Sequence, residues 1–148
     1  VNFTHLDNLI LTIGKEAANA LINKLKTNNS VATGNLIAAC HPVIQKDLEA
    51  IAMVINLPEY AEYLDKGTKP RKAGSGGFNE AIRKWVAVKG LPPQSTFPIA
   101  RSIWDNGTSP HPFLIEYDNV VQFFLTSNTI EIAIEDDVTE ELRRFISN

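Results

Sequence analysis

The run Ala39-Cys40-His41-Pro42-Val43-Ile44-Gln45-Lys46-Asp47-Leu48-Glu49-Ala50-Ile51-Ala52-Met53-Val54-Ile55-Asn56-Leu57 admits two readings, and the choice decides whether the fold contains an antiparallel hairpin. Ile44, Leu48, Ile51 and Ile55 are spaced 4, 3 and 4 apart, and Pro42 suits a first helical turn, so periodicity allows a helix. The alternative is a hairpin, with strands near Ala39–Gln45 and Glu49–Leu57 and a turn at Lys46-Asp47. Ile51, Met53 and Ile55 then share one face, and Val54 and Ile55 favour extended backbone. Local pattern alone leaves both open.

Immediately downstream lies Glu59-Tyr60-Ala61-Glu62-Tyr63-Leu64-Asp65-Lys66-Gly67-Thr68-Lys69-Pro70. Pro58 opens it with a fixed φ, and Gly67 closes it as a residue able to take positive φ. Tyr60, Tyr63 and Leu64 fall at i, i+3 and i+4, which predicts a short helix with one apolar face. Three further pieces follow in order: Ile82-Arg83-Lys84-Trp85-Val86 with Lys89-Gly90, Ile99-Ala100-Arg101-Ser102-Ile103-Trp104 with Gly107, and Pro112-Phe113-Leu114.

The succession YAxYLDKGTKP, IRKWVAVKG, IARSIWDNG, PHPFL resembles the neck or tail-completion (head–tail connector) proteins of tailed bacteriophages, over roughly residues 33–114. It departs from that pattern at Ser75-Gly76-Gly77, where a proline-containing loop is common. In that family a strand pair precedes the tyrosine segment, so the resemblance favours the hairpin. It implies a structural virion protein at the head–tail junction, assembled in the host cytoplasm as a homo-oligomeric ring. Its neighbours would be portal-side, tail-tube and other junction proteins, with passive contact to passing DNA. It implies no catalytic residues, no cofactor and no membrane partner.

A chain of 148 residues is expected to form one domain, burying about two-thirds of its unfolded surface. A hydrophobic content of 44% and a charged content of 21% are those of a soluble globular protein. Its apolar runs are too short to span a bilayer, and no charged-then-apolar leader pattern is seen. Cys40 is the single cysteine, so an internal disulfide is ruled out. Net charge is −3, and its distribution is uneven. Lys66, Lys69, Arg71, Lys72, Arg83, Lys84 and Lys89 meet one acid, Glu80. From Glu116 to Glu141 there are eight acids and no base. Charge is polarised along the sequence.

Leu6, Leu9, Ile10, Ile13, Ala17, Leu21 and Leu25 predict a long amphipathic N-terminal helix within residues 1–30, capped by Thr4 and stopped by Asn28-Asn29-Ser30. Asp7 would favour its positive end. Residues from Lys66 to Gly77 read as a basic, glycine-rich loop. It is not a phosphate cradle, because Phe78-Asn79 stands where Lys-Ser/Thr would be needed. A helix from near Asn79 to Val88 and another capped by Ser95 or Thr96 follow, the second ending at Asn106-Gly107. Trp85 and Trp104 occupy matching places on them, so core packing is expected, with partner anchoring open to one. In the C-terminal part, residues 115–148, a helix spanning Phe113 to Leu125 continues from the preceding turn. Ile130, Ile132 and Ile134 alternate with Glu131, Ala133 and Glu135, which predicts an acidic strand over Thr129–Glu135. Asp137 or Thr139 would then cap a last short helix. No segment is read as a repeat.

The sequence carries no catalytic motif. His5, His41 and His111 have no metal-ligand spacing, and Cys40-His41 would point to opposite faces of a strand. Asp136-Asp137 with Glu140-Glu141 reads as a solvated helix start rather than a cation site. The expectation is an α+β domain: a small antiparallel sheet of the hairpin plus the C-terminal strand, packed with a long N-terminal helix and several short ones. Lys66, Lys69, Arg71, Lys72, Glu131, Glu135 and Asp136 are the expected partner contacts. The competing functions are a nucleic-acid-binding module using Lys66–Lys89, and an enzyme whose site assembles only in the fold.

Overall fold

Pro42–Lys46 (β1) and Ile51–Ile55 (β2) pair as an antiparallel hairpin, with Pro42 opposite Ile55 and Ile44 opposite Met53. The hairpin prevails over the helical reading because its turn closes on itself. Asp47 N–H donates to the Ala50 carbonyl at 3.0 Å, and Ala50 N–H donates to Asp47 Oδ1 at 2.8 Å. An aspartate side chain thus stands in for a backbone partner. The structure is a computed structural model that describes residues 3–30, 34–47, 50–70 and 76–147. The strands are shorter than expected, and Leu48 and Glu49 lie outside the described residues.

Seven α-helices accompany the hairpin among the described residues. In order they are α1 (Thr4–Thr27), α2 (Asn35–Ala39), α3 (Tyr60–Lys66), α4 (Gly76–Val88), α5 (Thr96–Asn106), α6 (Ile115–Thr126) and α7 (Thr129–Ser147), with a 3₁₀ turn at Pro93–Ser95 before α5. The class is α+β. The chain groups into two compact units. Unit 1 comprises Val1–Lys24, Ala39–Asn56 and Leu114–Asn148, and unit 2 comprises Leu25–Ala38 and Leu57–Phe113.

Unit 1 is built on α1. Ile13, Ala17 and Leu21 recur every four residues and are buried, together with Cys40, Phe124 of α6 and Ala133 of α7. Full burial of a leucine such as Leu21 contributes roughly 1.5–3 kcal/mol. Gly14 sits where α1 meets the hairpin: a Cβ there would lie 2.5 Å from Met53 Sδ and 2.6 Å from Pro42 Cβ. Lys46 of β1 forms an ion pair with Asp7 of α1, and α6 packs on α7. The start of α1 is capped differently from expectation. Thr4 is already helical, and the N–H groups of His5 and Leu6 donate to the two carboxylate oxygens of Asp137, at 2.8 and 2.9 Å. The other end stops as predicted. Asn29 takes a φ of 53°, and Ser30 N–H donates to Leu25 C=O at 2.9 Å.

The acidic strand expected over Thr129–Glu135 is corrected. Those residues open the nineteen-residue helix α7, so there is no separate short helix for Asp137 or Thr139 to cap, and the sheet has two strands among the described residues. The inward face of α7 is made by Ala133 and Asp137, four apart, while Ile132, Ile134, Val138 and Leu142 are exposed. A small and an acidic residue carry the buried stripe, with half-buried Ile130 on the same side, while Ile132 and Ile134 face outward.

Unit 2 contains α2 to α5, with Leu25, Leu36, Ala61, Val86, Ala100 and Phe113 as its buried apolar residues. Helix α4 packs along α5, where Phe78 and Phe97 meet Trp104 at ring-centre distances of 5.9 and 6.4 Å. Three expectations are revised here. Gly76 and Gly77 belong to α4 rather than to a loop, while the loop expected at 71–75 lies outside the described residues. Ser95 makes no side-chain cap, because the preceding 3₁₀ turn already gives it helical dihedrals (φ −72°, ψ −14°). The next helix begins at Ile115, not Phe113, and Phe113 is fully buried ahead of it.

Candidate functional site

Helices α3 and α5 end alike. Each closes on a glycine of positive φ, 70° at Gly67 and 74° at Gly107, followed by threonine, one further residue and proline. The two turns are bonded to each other. Thr68 N–H donates to the Thr108 carbonyl at 3.1 Å, Thr108 N–H donates back to the Thr68 carbonyl at 3.0 Å, and the two hydroxyls lie 3.0 Å apart. A Cβ on Gly67 would meet the Thr108 carbonyl oxygen, and one on Gly107 would meet that of Thr68. Glycine is required at both for conformation and for space.

The segment after α5 is then laced to α3. His111 N–H donates to the Leu64 carbonyl at 2.9 Å, and Phe113 N–H donates to Asp65 Oδ1 at 2.8 Å. Asn28 Nδ2 donates to the Pro112 carbonyl at 3.0 Å. These bonds fix the ends of α3 and α5 side by side, with α4 alongside.

Between them lies an apolar groove of about 450 Å³, lined chiefly by Tyr60, Tyr63, Ile82, Trp85, Ile99 and Ile103. A second cavity of about 510 Å³ shares Leu64, Trp85 and His111 with it and adds Lys89. Tyr60 and Tyr63 are 46% and 53% exposed. The apolar face read from Tyr60, Tyr63 and Leu64 thus leaves its two tyrosines as a lip of the groove, and Ala61 takes the buried position in α3. The tryptophans divide their roles: Trp104 packs within the α4–α5 aromatic cluster, and Trp85 lines both cavities.

The expected contact residues fall into two groups. Lys66 and Lys69 are exposed in unit 2, while Arg71 and Lys72 lie outside the described residues. Lys66 Nζ bonds to Glu62 Oε1 at 2.8 Å, and that hydrogen bond, with the carboxylate's charge, raises the lysine's pKa above its ordinary value. Glu131, Glu135 and Asp136 are exposed on α7 in unit 1, the first two one turn apart. Other acids of the same stretch are engaged within unit 1. Asp137 caps α1, Glu140 meets Arg144 at 2.6 Å and His5 at 3.3 Å, and Glu116 meets Lys24 at 3.8 Å. Burial of Asp137 works to raise its pKa, but the hydrogen bonds from the His5, Leu6 and Thr4 backbone and the charge of His5 together hold it below the ordinary value. Glu140 is likewise held low, first by its hydrogen bond and charge contact with Arg144.

The sequence polarity survives as a difference between units. Over the whole chain unit 2 has nine Lys and Arg against five Asp and Glu, a formal +4, and unit 1 has five against twelve, a formal −7.

Cys40 is buried, and burial raises its thiol pKa, while the neighbouring His41 side chain is exposed. They face apart. Among the described residues no three His, Cys, Asp or Glu side chains converge to hold a metal ion, and no helix is long and apolar enough to cross a membrane. Sequence reasoning missed the groove and the paired turns. The signal for the turns was present as Gly67-Thr68-Lys69-Pro70 and Gly107-Thr108-Ser109-Pro110, a short repeat at the ends of two helices. Comparison with protein families, with characterised proteins and with solved structures finds no match.

Proposed function

We propose that this protein is a structural virion component of a tailed bacteriophage, part of the head–tail junction, acting through ring-forming self-association rather than catalysis. One observation carries the reading. The four sequence pieces that resemble neck and tail-completion proteins fall together in unit 2, save the terminal Leu114, and hydrogen bonds tie the first to the fourth and to the turn that follows the third. The glycine-threonine turn of the first is bonded to that of the third, and Phe113 of the fourth to Asp65 of the first. The exposed tyrosine lip beside the groove adds an apolar surface of the kind a protein partner covers.

The portal-side and tail-tube proteins of the particle are the further partners, with DNA passing the ring. Electron microscopy of the purified protein should show closed rings, and labelled antibody on intact particles should mark the head–tail junction. Label elsewhere on the particle, or none, would remove the junction assignment.

A second reading has its own observation. The formal +4 of unit 2 suits a nucleic-acid-binding module using Lys66–Lys89. Gel mobility with duplex and single-stranded DNA tests it: retention that weakens steeply with salt is the expected signature.

A further inference from the structure

We propose that the apolar groove of unit 2 receives helix α7 of a second copy of this chain, so that copies join head to tail. The inference rests on the self-associating reading above and names the two faces that meet.

The receiving face is the cleft between α3, α4 and α5. Its walls are chiefly aliphatic and aromatic, its volume of about 450 Å³ is bordered by Tyr60 and Tyr63, and the neighbouring cavity that shares Trp85 is lined by Asn29, Ser30 and Lys89 as well. An apolar cleft with a lysine lining the neighbouring cavity suits an amphipathic helix bearing a carboxylate.

Helix α7 has that character. Ile134, Val138, Leu142 and Phe145 recur at four, four and three residues, forming one stripe about 16 Å long on the helix surface. All four are exposed, Phe145 at 82%, and Ile146 beside it is exposed at 81%. The inward face of α7 is a different one, made by Ala133 and Asp137. Glu131 and Glu135 border the stripe toward its N-terminal end.

Charge selects the pairing of unlike units. A formal −7 on the unit bearing α7 and +4 on the unit bearing the groove attract across copies, whereas like units repel. Contact between two different faces is heterologous, and it propagates from copy to copy until a ring closes or a filament grows.

Sedimentation velocity on the full chain tests this with two variants at exposed positions, their folds checked by circular dichroism. Leu142→Glu/Phe145→Glu spoils the inserted helix, and Tyr63→Glu spoils the lip of the groove. Each alone should weaken self-association by roughly tenfold or more. Mixed together they should recover a one-to-one dimer that grows no further, because one chain retains a sound groove and the other a sound α7. A wild-type chain that is monomeric at every concentration would overturn the docking. So would rings that form undiminished from the Leu142→Glu/Phe145→Glu variant, although the ring reading would then stand. Complementation by the two variants, with label absent from the head–tail junction, would keep the docking and remove the virion assignment.

Discussion

His5 and Asp137, 132 positions apart, are joined by a hydrogen bond of 2.8 Å from the His5 backbone N–H to the Asp137 carboxylate. The second oxygen takes the Leu6 N–H at 2.9 Å, so a residue of α7 caps the positive end of α1. Asp137 is 1% exposed, and its carboxyl is held below the ordinary value in the folded chain. A carboxyl depressed on folding adds stability above its unfolded pKa, and that contribution is lost as pH falls through the folded one. Wild-type melting temperature should therefore drop below about pH 4. Glu140, also depressed, adds in the same sense. Asp137→Asn should melt roughly 3–6 °C lower at pH 7 and show a flatter acid limb, read by calorimetry across pH.

The paired turns predict which glycines resist replacement. Gly67→Ala and Gly107→Ala each force a methyl group onto a facing threonine carbonyl at positive φ, and each should cost more than about 2 kcal/mol in urea unfolding. Gly90 also has positive φ, yet nothing lies within 4 Å of a Cβ built there. Gly90→Ala should cost only about 1 kcal/mol.

Gly14 tests the contact between α1 and the hairpin. Gly14→Ala gains helix propensity of about 1 kcal/mol but places its methyl against Met53 Sδ and the Pro42 ring. Overpacking of this kind costs about 1–3 kcal/mol, so net destabilisation is expected. Met53→Ala in the same chain should relieve part of it. A double-mutant cycle with no coupling between the two positions would refute the contact.

Cys40 should behave as a closed residue. Its burial and raised pKa predict alkylation of the native chain about two orders of magnitude slower than of the denatured chain at pH 8.

The charge polarity offers a test of the proposed ring assembly. Reversing Lys69, Arg71 and Lys72 to glutamate should block ring formation, and adding Glu131, Glu135 and Asp136 reversed to lysine should partly restore it. Exposed pairs contribute at most about 1 kcal/mol each and are screened by salt, so the effect should be largest at low ionic strength. Rings that form normally from the first variant at low salt would exclude charge as the orienting force.

Local rules acted where a segment's partners lie within it or beside it. The stripe of α1, the stop at Asn29, the short helix ending at Gly67 and the helices bearing Trp85 and Trp104 all follow from spacing, capping and turn residues. The polarity of charge was also legible, because it is additive over residues. The hairpin needed more: its strands and its helical alternative share the same isoleucines, and Asp47 closing on Ala50 decides between them. For α7 the alternation of Ile130, Ile132 and Ile134 pointed to a strand, since period-two reading assumes that the large apolar side chains face inward. Tertiary packing instead buried Ala133 and Asp137, because the cap that α1 needed is a carboxylate supplied from across the chain. The groove arose in the same way. Its walls come from three helices brought together by Thr68 and Thr108, forty residues apart, and a cavity is a property of that arrangement rather than of any one segment.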